Sequence, residues 1–262
     1  MAMLTNKTKE KLLRGDVVVG CILEYPDPGA VELLGLMGFD FVRFEGEHGP
    51  LTYMDLEHLV RAAQCVDVTP TARVPANVQH EILHYLDRGV LGVTIPHTAT
   101  KADAECAVRA AKHYPVGMRG HNASGKLSLY GTAGLPVDAY YDYVNRETLV
   151  IALIEDKEGL ENIEEIVAVP GVDAIDVGPS DLAQSLGLPS REAVEKAVDR
   201  IVEAAVRAGK PVGVGTAVNL RKPESMRYYR DKGCTYFLTS AGALFRYGAT
   251  EALKKIREAV SA

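Results

Sequence analysis

Two carboxylates that follow short apolar segments are the residues of this 262-residue sequence best placed for chemistry. Glu155 comes directly after the apolar run 149–154, and Asp181 stands in the turn-forming segment GPSDL, 178–182. Converging carboxylates repel each other, and a hard divalent cation relieves that repulsion while it leaves positions for water and substrate oxygens. No cysteine or histidine adjoins either residue, so Mg²⁺ or Mn²⁺ is favoured over a closed zinc site. Two exposed surface carboxylates are the simpler alternative.

Groups that could bind an anion occur in similar positions. Arg73 ends another apolar segment, and a guanidinium there would stabilise a developing oxyanion without losing its charge, although a surface ion pair is an alternative. Ser180 or Asp181 can begin a short helix that runs through Leu186, whose free N–H groups could hold a carboxylate or phosphate. A plain turn with an Asp cap explains GPSDL equally well.

An acid–base pair is suggested by His48, which follows two acids in Glu45-Gly46-Glu47-His48. A lone histidine is more often structural, but its place after an apolar segment makes proton transfer plausible. Such a base needs an orienting carboxylate, and Asp87 is one candidate, with solvation of a helix end as its alternative role.

A competing motif is the literal H-E-x-x-H pattern of zinc proteases at His80, Glu81 and His84. The segment is predicted to lie on an outer helix, and no third ligand follows it. Zinc proteolysis is therefore disfavoured.

Strands and helices alternate along the whole chain, and eight such pairs predict a (β/α)8 TIM barrel formed by one domain, residues 1–262. Catalytic groups of such barrels lie at the carboxyl ends of strands. The candidates would meet there, except Asp87, which ends a helix, and the H-E-x-x-H residues on their outer helix. A doubly wound open sheet is the alternative, but the first predicted strand is not followed by its Gly-rich fingerprint. The predicted strands are Val17–Leu23, Phe39–Phe44, Thr69–Val74, Leu91–Ile95, Leu149–Ile154, Ala174–Val177, Val212–Gly215 and Tyr236–Thr239.

The segment 114–145, between the fourth and fifth strands, is rich in Gly, Ser and Tyr. We expect it to form a lid-like insertion over the barrel mouth, or a subunit contact. The last predicted helix is Thr250–Ser261.

Composition narrows the partners and the compartment. The net charge of −6 offers no basic excess for a nucleic acid, and no apolar run reaches the roughly 18 residues of a membrane span. Four cysteines that lie far apart without a CxxC pair, and a polar first segment, predict a cytoplasmic protein with reduced thiols.

Several motifs together give the sequence a resemblance to the HpcH/HpaI aldolase family of metal-dependent class II pyruvate aldolases, which covers most of the chain. The family includes 4-hydroxy-2-oxo-heptanedioate aldolase and 2-keto-3-deoxy-sugar-acid aldolases. The motifs are Gly38-Phe39-Asp40-Phe41 with Gly46-Glu47-His48, Ala72-Arg73-Val74-Pro75, Leu86-Asp87-Arg88-Gly89, the segment 114–120 (YPVGMRG), and GPSDL with Ser185-Leu186-Gly187.

The resemblance implies a barrel of the phosphoenolpyruvate/pyruvate type that cleaves a 4-hydroxy-2-oxo acid to pyruvate and an aldehyde. It implies that Glu155 and Asp181 bind the divalent metal, Mg²⁺ or Mn²⁺ with Co²⁺ as a further option, and that the Ser180 and Asp181 N–H groups hold the pyruvate carboxylate. Arg73 would steady the enolate oxygen, and His48, oriented by Asp87, would move protons. A homohexamer that exchanges its last helix is also expected.

The sequence departs from the family pattern at three positions. Glu45 stands where members often carry Asp, apolar Leu153 where they carry Gln, and Glu24 where a small or apolar residue is usual. These departures affect the choice of aldehyde more than the enolate chemistry. Other readings remain: a Schiff-base aldolase using Lys157 or Lys210, an oxaloacetate decarboxylase using the same site, and non-catalytic binding of an acidic metabolite.

Overall fold

Eight parallel strands close into a barrel in the computed structural model, which describes residues 3–215 and 218–260. Each strand pairs with its neighbours in sequence, and β1 pairs with β8 to complete the ring. The predicted TIM barrel is therefore confirmed, with strand limits within two residues of those expected. The strands are β1 (Val18–Leu23), β2 (Phe41–Glu45), β3 (Thr69–Arg73), β4 (Gly92–Ile95), β5 (Leu149–Ile154), β6 (Ala174–Val177), β7 (Val212–Val214) and β8 (Tyr236–Ser240).

Helices surround the barrel because each strand must bury apolar side chains on both its inner and its outer face. The strand β5 illustrates this, since all six of its residues are buried. Among the described residues no helix is both long and apolar enough to cross a membrane. The helices are α1 (Lys7–Leu13), α2 (Pro28–Leu36), α3 (Tyr53–Cys65), α4 (Gln79–Asp87), α5 (Lys101–Ala111), α6 (Val137–Glu147), α7 (Lys157–Glu161), α8 (Ile163–Val167), α9 (Pro179–Ser185), α10 (Arg191–Arg207), α11 (Glu224–Asp231) and α12 (Ala241–Val260).

The barrel interior contains a polar layer below the mouth. Alternate strands supply its four members, which are Arg43, Thr94, Asp176 and Tyr236, as expected for layers in this fold. Arg43 forms a buried ion pair with Asp176. Gly213 makes room for this layer, because a Cβ there would come within 2.3 Å of the Tyr236 ring.

The insertion 114–145 lies at the N-terminal end of the strands, so it does not cover the mouth of its own barrel. It follows α5, a helix that returns the chain to that end, and it finishes in α6 immediately before β5. Its Leu127 and Tyr143 pack on Leu91, just before β4, and the Tyr143 hydroxyl donates to the Leu4 carbonyl at 2.7 Å. The segment therefore does not form the lid that we expected over the mouth, because a segment between a helix and the next strand must lie at the opposite end of the barrel.

Two other helices differ from expectation. The sequence did not lead us to expect α1, whose N-cap Asn6 donates through its side chain to the carbonyls of Leu91 and Glu147. The last helix, α12, begins at Ala241 directly after β8 and not at Thr250; the predicted end at Ser261 lies outside the described residues.

Candidate active site

The mouth of the barrel brings together a guanidinium and several carboxylates. Arg73 is the last residue of β3 and pairs in register with Glu45, the last residue of β2. Glu155 follows β5 and is only 2% exposed. These positions confirm that the strand ends collect the charged residues, as the fold requires.

Two carboxylates hold the Arg73 guanidinium. Its Nε donates to both Glu45 oxygens, at 3.0 and 2.9 Å, and its Nη2 lies 2.8 Å from Glu45 Oε2. On the other side, Arg73 Nη1 lies 2.8 Å from Glu47 Oε2. Glu45 also accepts the backbone N–H groups of Glu47 and His48, so one buried carboxylate fixes both the arginine and the turn after β2. A guanidinium has five N–H donors, so Arg73 keeps donors beyond those that face Glu45 and Glu47.

Glu155 is a buried carboxylate whose negative charge is only weakly balanced by its neighbours. Its Oε1 accepts the His97 backbone N–H at 3.0 Å, and Gly178 packs against it so closely that a Cβ there would lie 2.8 Å from Oε2. Burial is the largest influence on its pKa and raises it, against the lowering effect of the His97 N–H. A buried carboxylate is costly unless a cation balances it.

His97, which the sequence analysis overlooked, joins this group from the end of β4. Its Nδ1 lies 3.0 Å from Asp156 Oδ2, its Nε2 lies 3.6 Å from Glu47 Oε1, and its φ of +50° is unusual for a residue other than glycine. Burial works against the protonated imidazole, but the hydrogen bond to Asp156 and the nearby carboxylates outweigh it and raise the pKa. Ligand atoms of Glu47, His97 and Glu155 lie within 4.8 Å of one another, a spacing that suits a metal ion. Considering the first two residues after every predicted strand, β4 included, would have identified His97.

Ser180 and Asp181 lie in the first turn of α9, whose N-cap, Gly178, packs next to Glu155. Both residues are exposed at the mouth. The N–H groups of a helical first turn have no partner within the helix, so those of Ser180 and Asp181 are available to an anion. Asp181 is not part of the close group formed by Glu47, His97 and Glu155.

His48 and Asp87 lie at opposite ends of the barrel. His48 is exposed, in the turn after β2 at the mouth. Asp87 ends α4 and binds Arg119 at 2.8 Å and Asn122 at 2.9 Å, both in the insertion at the N-terminal end of the strands. Within one chain Asp87 therefore does not orient His48, because the end of a helix and the end of a strand belong to opposite faces of a barrel.

The competing motifs do not assemble sites. His80 is exposed on α4, and the Glu81 carboxylate accepts the Tyr53 hydroxyl at 2.8 Å, while the His84 ring stacks on Tyr53. These residues do not form a ligand cluster in the part of the chain that the structure describes.

The two lysines considered for a Schiff base are poorly placed. Lys210 donates to the Val172 carbonyl, before β6, at the end of the barrel away from the mouth. Lys157 is exposed, 3.8 Å from Glu161 on α7. A Schiff-base lysine needs a desolvated position at the mouth, and neither residue has one.

Sequence and structure comparisons agree on the relatives of this chain. The profile of the HpcH/HpaI aldolase/citrate lyase family matches residues 20–235. A protein named 5-keto-4-deoxy-D-glucarate aldolase from Escherichia coli (strain K12) is 35% identical over 234 residues, 88% of each chain.

Two solved structures share the whole architecture. The HpcH/HpaI aldolase/citrate lyase family protein from Burkholderia cenocepacia J2315 has a TM-score of 0.87 at 30% identity, covering 97% of this chain and 100% of its own. The HpcH/HpaI aldolase from Desulfitobacterium hafniense DCB-2 has a TM-score of 0.86 at 30% identity and 98% coverage of both chains. The predicted resemblance is confirmed, and with it the divalent-metal-dependent aldolase type of lyase. The chain belongs to the HpcH/HpaI aldolase/citrate lyase family.

Proposed function

We propose that the protein reversibly cleaves a 4-hydroxy-2-oxo acid to pyruvate, or a pyruvate analogue, and an aldehyde. This proposal rests on one observation: the buried Glu155 carboxylate and the Arg73 guanidinium lie at the same end of the barrel. Two carboxylates, Glu45 and Glu47, hold that guanidinium in place. Cleavage of the bond between C3 and C4 leaves a negative charge that spreads to the 2-keto oxygen. A cationic site that binds this oxygen stabilises the transition state.

A divalent metal fits the residues near Glu155. Glu155 is almost completely buried, and its pKa is raised by that burial, so a cation would remove the cost of its charge. Glu155 and Asp181 would hold the ion, with Glu47 and His97 close enough to contribute. Such an ion polarises a keto oxygen as a Lewis acid. Carboxylate ligands favour Mg²⁺ or Mn²⁺, and an imidazole in the set would also admit Co²⁺.

The substrate carboxylate would bind at the start of α9. The N–H groups of Ser180 and Asp181 point away from the body of the helix, where an anion is favoured. Arg73 would then donate its free N–H bonds to the oxygen that becomes negative. Because Glu45 and Glu47 fix the guanidinium from both sides, little reorganisation is needed during the reaction.

His48 remains our candidate for moving the proton of the C4 hydroxyl, directly or through water. It is solvent-accessible at the mouth, and Glu45 fixes its backbone. An orienting role for Asp87 would require Asp87 from a second copy of the chain, since its own lies at the far end of the barrel.

We also propose a homo-oligomer, a hexamer by family resemblance, in which α12 packs on a neighbouring copy. The exposed apolar residues of α12 recur at helical spacing, at Phe245, Leu253, Ile256 and Val260. On the outside of β1 and β8 an apolar groove of about 470 Å³ is lined by Val17, Val19, Phe39 and Phe237, among others, where a packed helix would otherwise be expected. Unpaired thiols at exposed Cys65 and Cys106 support a reducing, cytoplasmic location.

Oxaloacetate decarboxylation is the second candidate. Loss of CO₂ from oxaloacetate forms the same pyruvate enolate, so Arg73 and Glu155 would serve both reactions. Turnover of oxaloacetate faster than that of every hydroxy-oxo acid would favour this reading.

Metal removal tests the main proposal. Dialysis against EDTA should abolish pyruvate release from a 4-hydroxy-2-oxo acid, and Mg²⁺, Mn²⁺ or Co²⁺ should restore it. Glu155→Gln should bind less metal by elemental analysis, whereas Glu158→Gln, an exposed acid on α7, should keep the wild-type content. Full activity in the metal-free protein would reject the proposal.

A further inference from the structure

Glu24 stands at the mouth end of β1 and contacts the start of α12. Its Oε2 accepts the Gly242 N–H at 3.3 Å, and its side chain is partly buried. The first turn of α12 is also capped by Ser240, whose Oγ accepts the Ala243 N–H at 3.1 Å. A 20-residue helix has a positive N-terminal end that attracts anions, and in this protein a carboxylate of the chain itself occupies it.

The place of Glu24 in the ring relates it to the substrate. In the closed order of strands β1 lies across the barrel from β5, which carries Glu155, while β3 and β6 carry Arg73 and the α9 turn. If the pyruvate half binds at β3, β5 and β6, as the proposed function requires, the rest of the substrate extends over the mouth toward β1 and β8. Glu24 is then next to the part that leaves as the aldehyde.

Glu24 places a carboxylate on this side of the mouth, near Arg246. Near the start of α12, Arg246 Nη1 comes within 3.4 Å of the point where a Gly242 Cβ would lie, and Glu24 Oε1 comes within 3.2 Å of the same point. One oxygen of Glu24 thus accepts a hydrogen bond at the positive end of α12. The other, Oε1, can accept hydrogen bonds from hydroxyl groups.

We propose that Glu24 is a specificity-determining residue that selects uncharged hydroxyaldehydes over aldehydes carrying a carboxylate or phosphate. This inference rests on the proposed aldol reaction and adds the chemical class of the acceptor. Hydroxyls of a sugar-like aldehyde donate to the carboxylate, whereas an anionic tail meets a like charge at close range.

A matched pair of aldehydes tests the role. Wild-type protein should condense pyruvate with glyceraldehyde at a higher kcat/KM than with glyceraldehyde 3-phosphate. Glu24→Gln should narrow that ratio by about tenfold, mainly through a lower KM for the phosphorylated aldehyde. Glu24→Asp, which keeps the charge, should retain most of the wild-type preference, and Glu158→Gln should leave the ratio unchanged. A wild-type preference for the phosphorylated aldehyde, or a ratio that Glu24→Gln does not alter, overturns the inference.

Exchange of the pyruvate methyl protons with D₂O separates this inference from the proposed function. The exchange needs no aldehyde and reports enolate formation directly by NMR. Absence of exchange in the wild type would reject the proposed function itself. Normal exchange in Glu24→Gln shows that the variant is folded. The ratio of kcat/KM for glyceraldehyde to that for glyceraldehyde 3-phosphate then decides the inference.

Discussion

Arg73 forms ion pairs with Glu45 on one side and with Glu47 on the other, and these two contacts set the direction of its free N–H bonds. A lysine keeps the charge but cannot make both contacts while it faces a substrate oxygen. We therefore expect Arg73→Lys to lower kcat by about 10²-fold, the loss typical for one oxyanion contact, with a smaller change in KM. Steady-state kinetics of pyruvate release would measure this. A kcat within threefold of wild type would show that charge alone suffices.

His97 offers a separate test of the metal ligands. Because imidazole binds Co²⁺ in preference to Mg²⁺, loss of this ring should weaken Co²⁺ binding more than Mg²⁺ binding. For His97→Gln we expect the Kd of Co²⁺, measured by calorimetry, to rise about tenfold and that of Mg²⁺ to change much less. The exposed His58 on α3 gives a matched control as His58→Gln. Equal effects on both ions would exclude the imidazole from the ligand set.

Residues at strand ends were predictable from sequence, and their partners were not. Glu155 and Arg73 follow apolar runs, so the fold alone directs them to the mouth. Asp87 was assigned to His48 because it could orient a base, but a residue that ends a helix lies at the other face, where Arg119 holds it. The Glu45–Arg73 contact depends on strand register, which the sequence does not specify.

At the scale of elements, α12 should control assembly. It has no buried residue in the single chain, and Phe245 is 77% exposed. Burying such side chains on a neighbouring copy removes their apolar surface from water, a gain of about 2 kcal/mol for each large side chain. We expect the double variant Phe245→Ser, Ile256→Ser to elute as smaller species than wild type in size-exclusion chromatography with light scattering. Lys255→Ser on the same helix should not change the mass, and an unchanged mass for the double variant would contradict this role.

Element order was easier to predict than element position. Short apolar segments that alternate with segments of helical period predicted all eight strands. The start of α12 was not predicted, because Gly242 and Gly248 weaken the helical pattern before Thr250. The insertion looked like a lid because its composition resembles that of a mobile loop. Two of its tyrosines, Tyr140 and Tyr143, are instead buried beneath the barrel.

For the whole molecule, closure of the ring shows how a protein with a net charge of −6 would bind the anionic substrate that we propose. The pairing of β1 with β8 gives all eight strands one common rim, where Arg73 and the proposed cation would act together. The net charge of the chain therefore does not predict the local charge at the mouth. The sequence predicted the barrel because eight strand–helix units leave few other arrangements, whereas the local balance of charge required coordinates.

Acid stability is a property of the whole fold that depends on His113. The ring is 1% exposed, stacks on Tyr141 with centroids 4.3 Å apart, and donates through Nδ1 to the Arg119 carbonyl. Burial, followed by the positive charge of Arg119, lowers its pKa to about 4. The unfolded chain, with a histidine pKa of about 6.5, binds the proton more readily, so this contribution to stability is complete above pH 6.5 and is lost as the pH falls toward 4. The loss amounts to at most about 3 kcal/mol of unfolding free energy.

Urea unfolding from pH 7 to pH 4.5 should therefore show a smaller pH-dependent loss of unfolding free energy for His113→Phe, which keeps the stacked ring, than for wild type or His58→Gln. Parallel curves for all three proteins would mean that other groups cause the acid sensitivity.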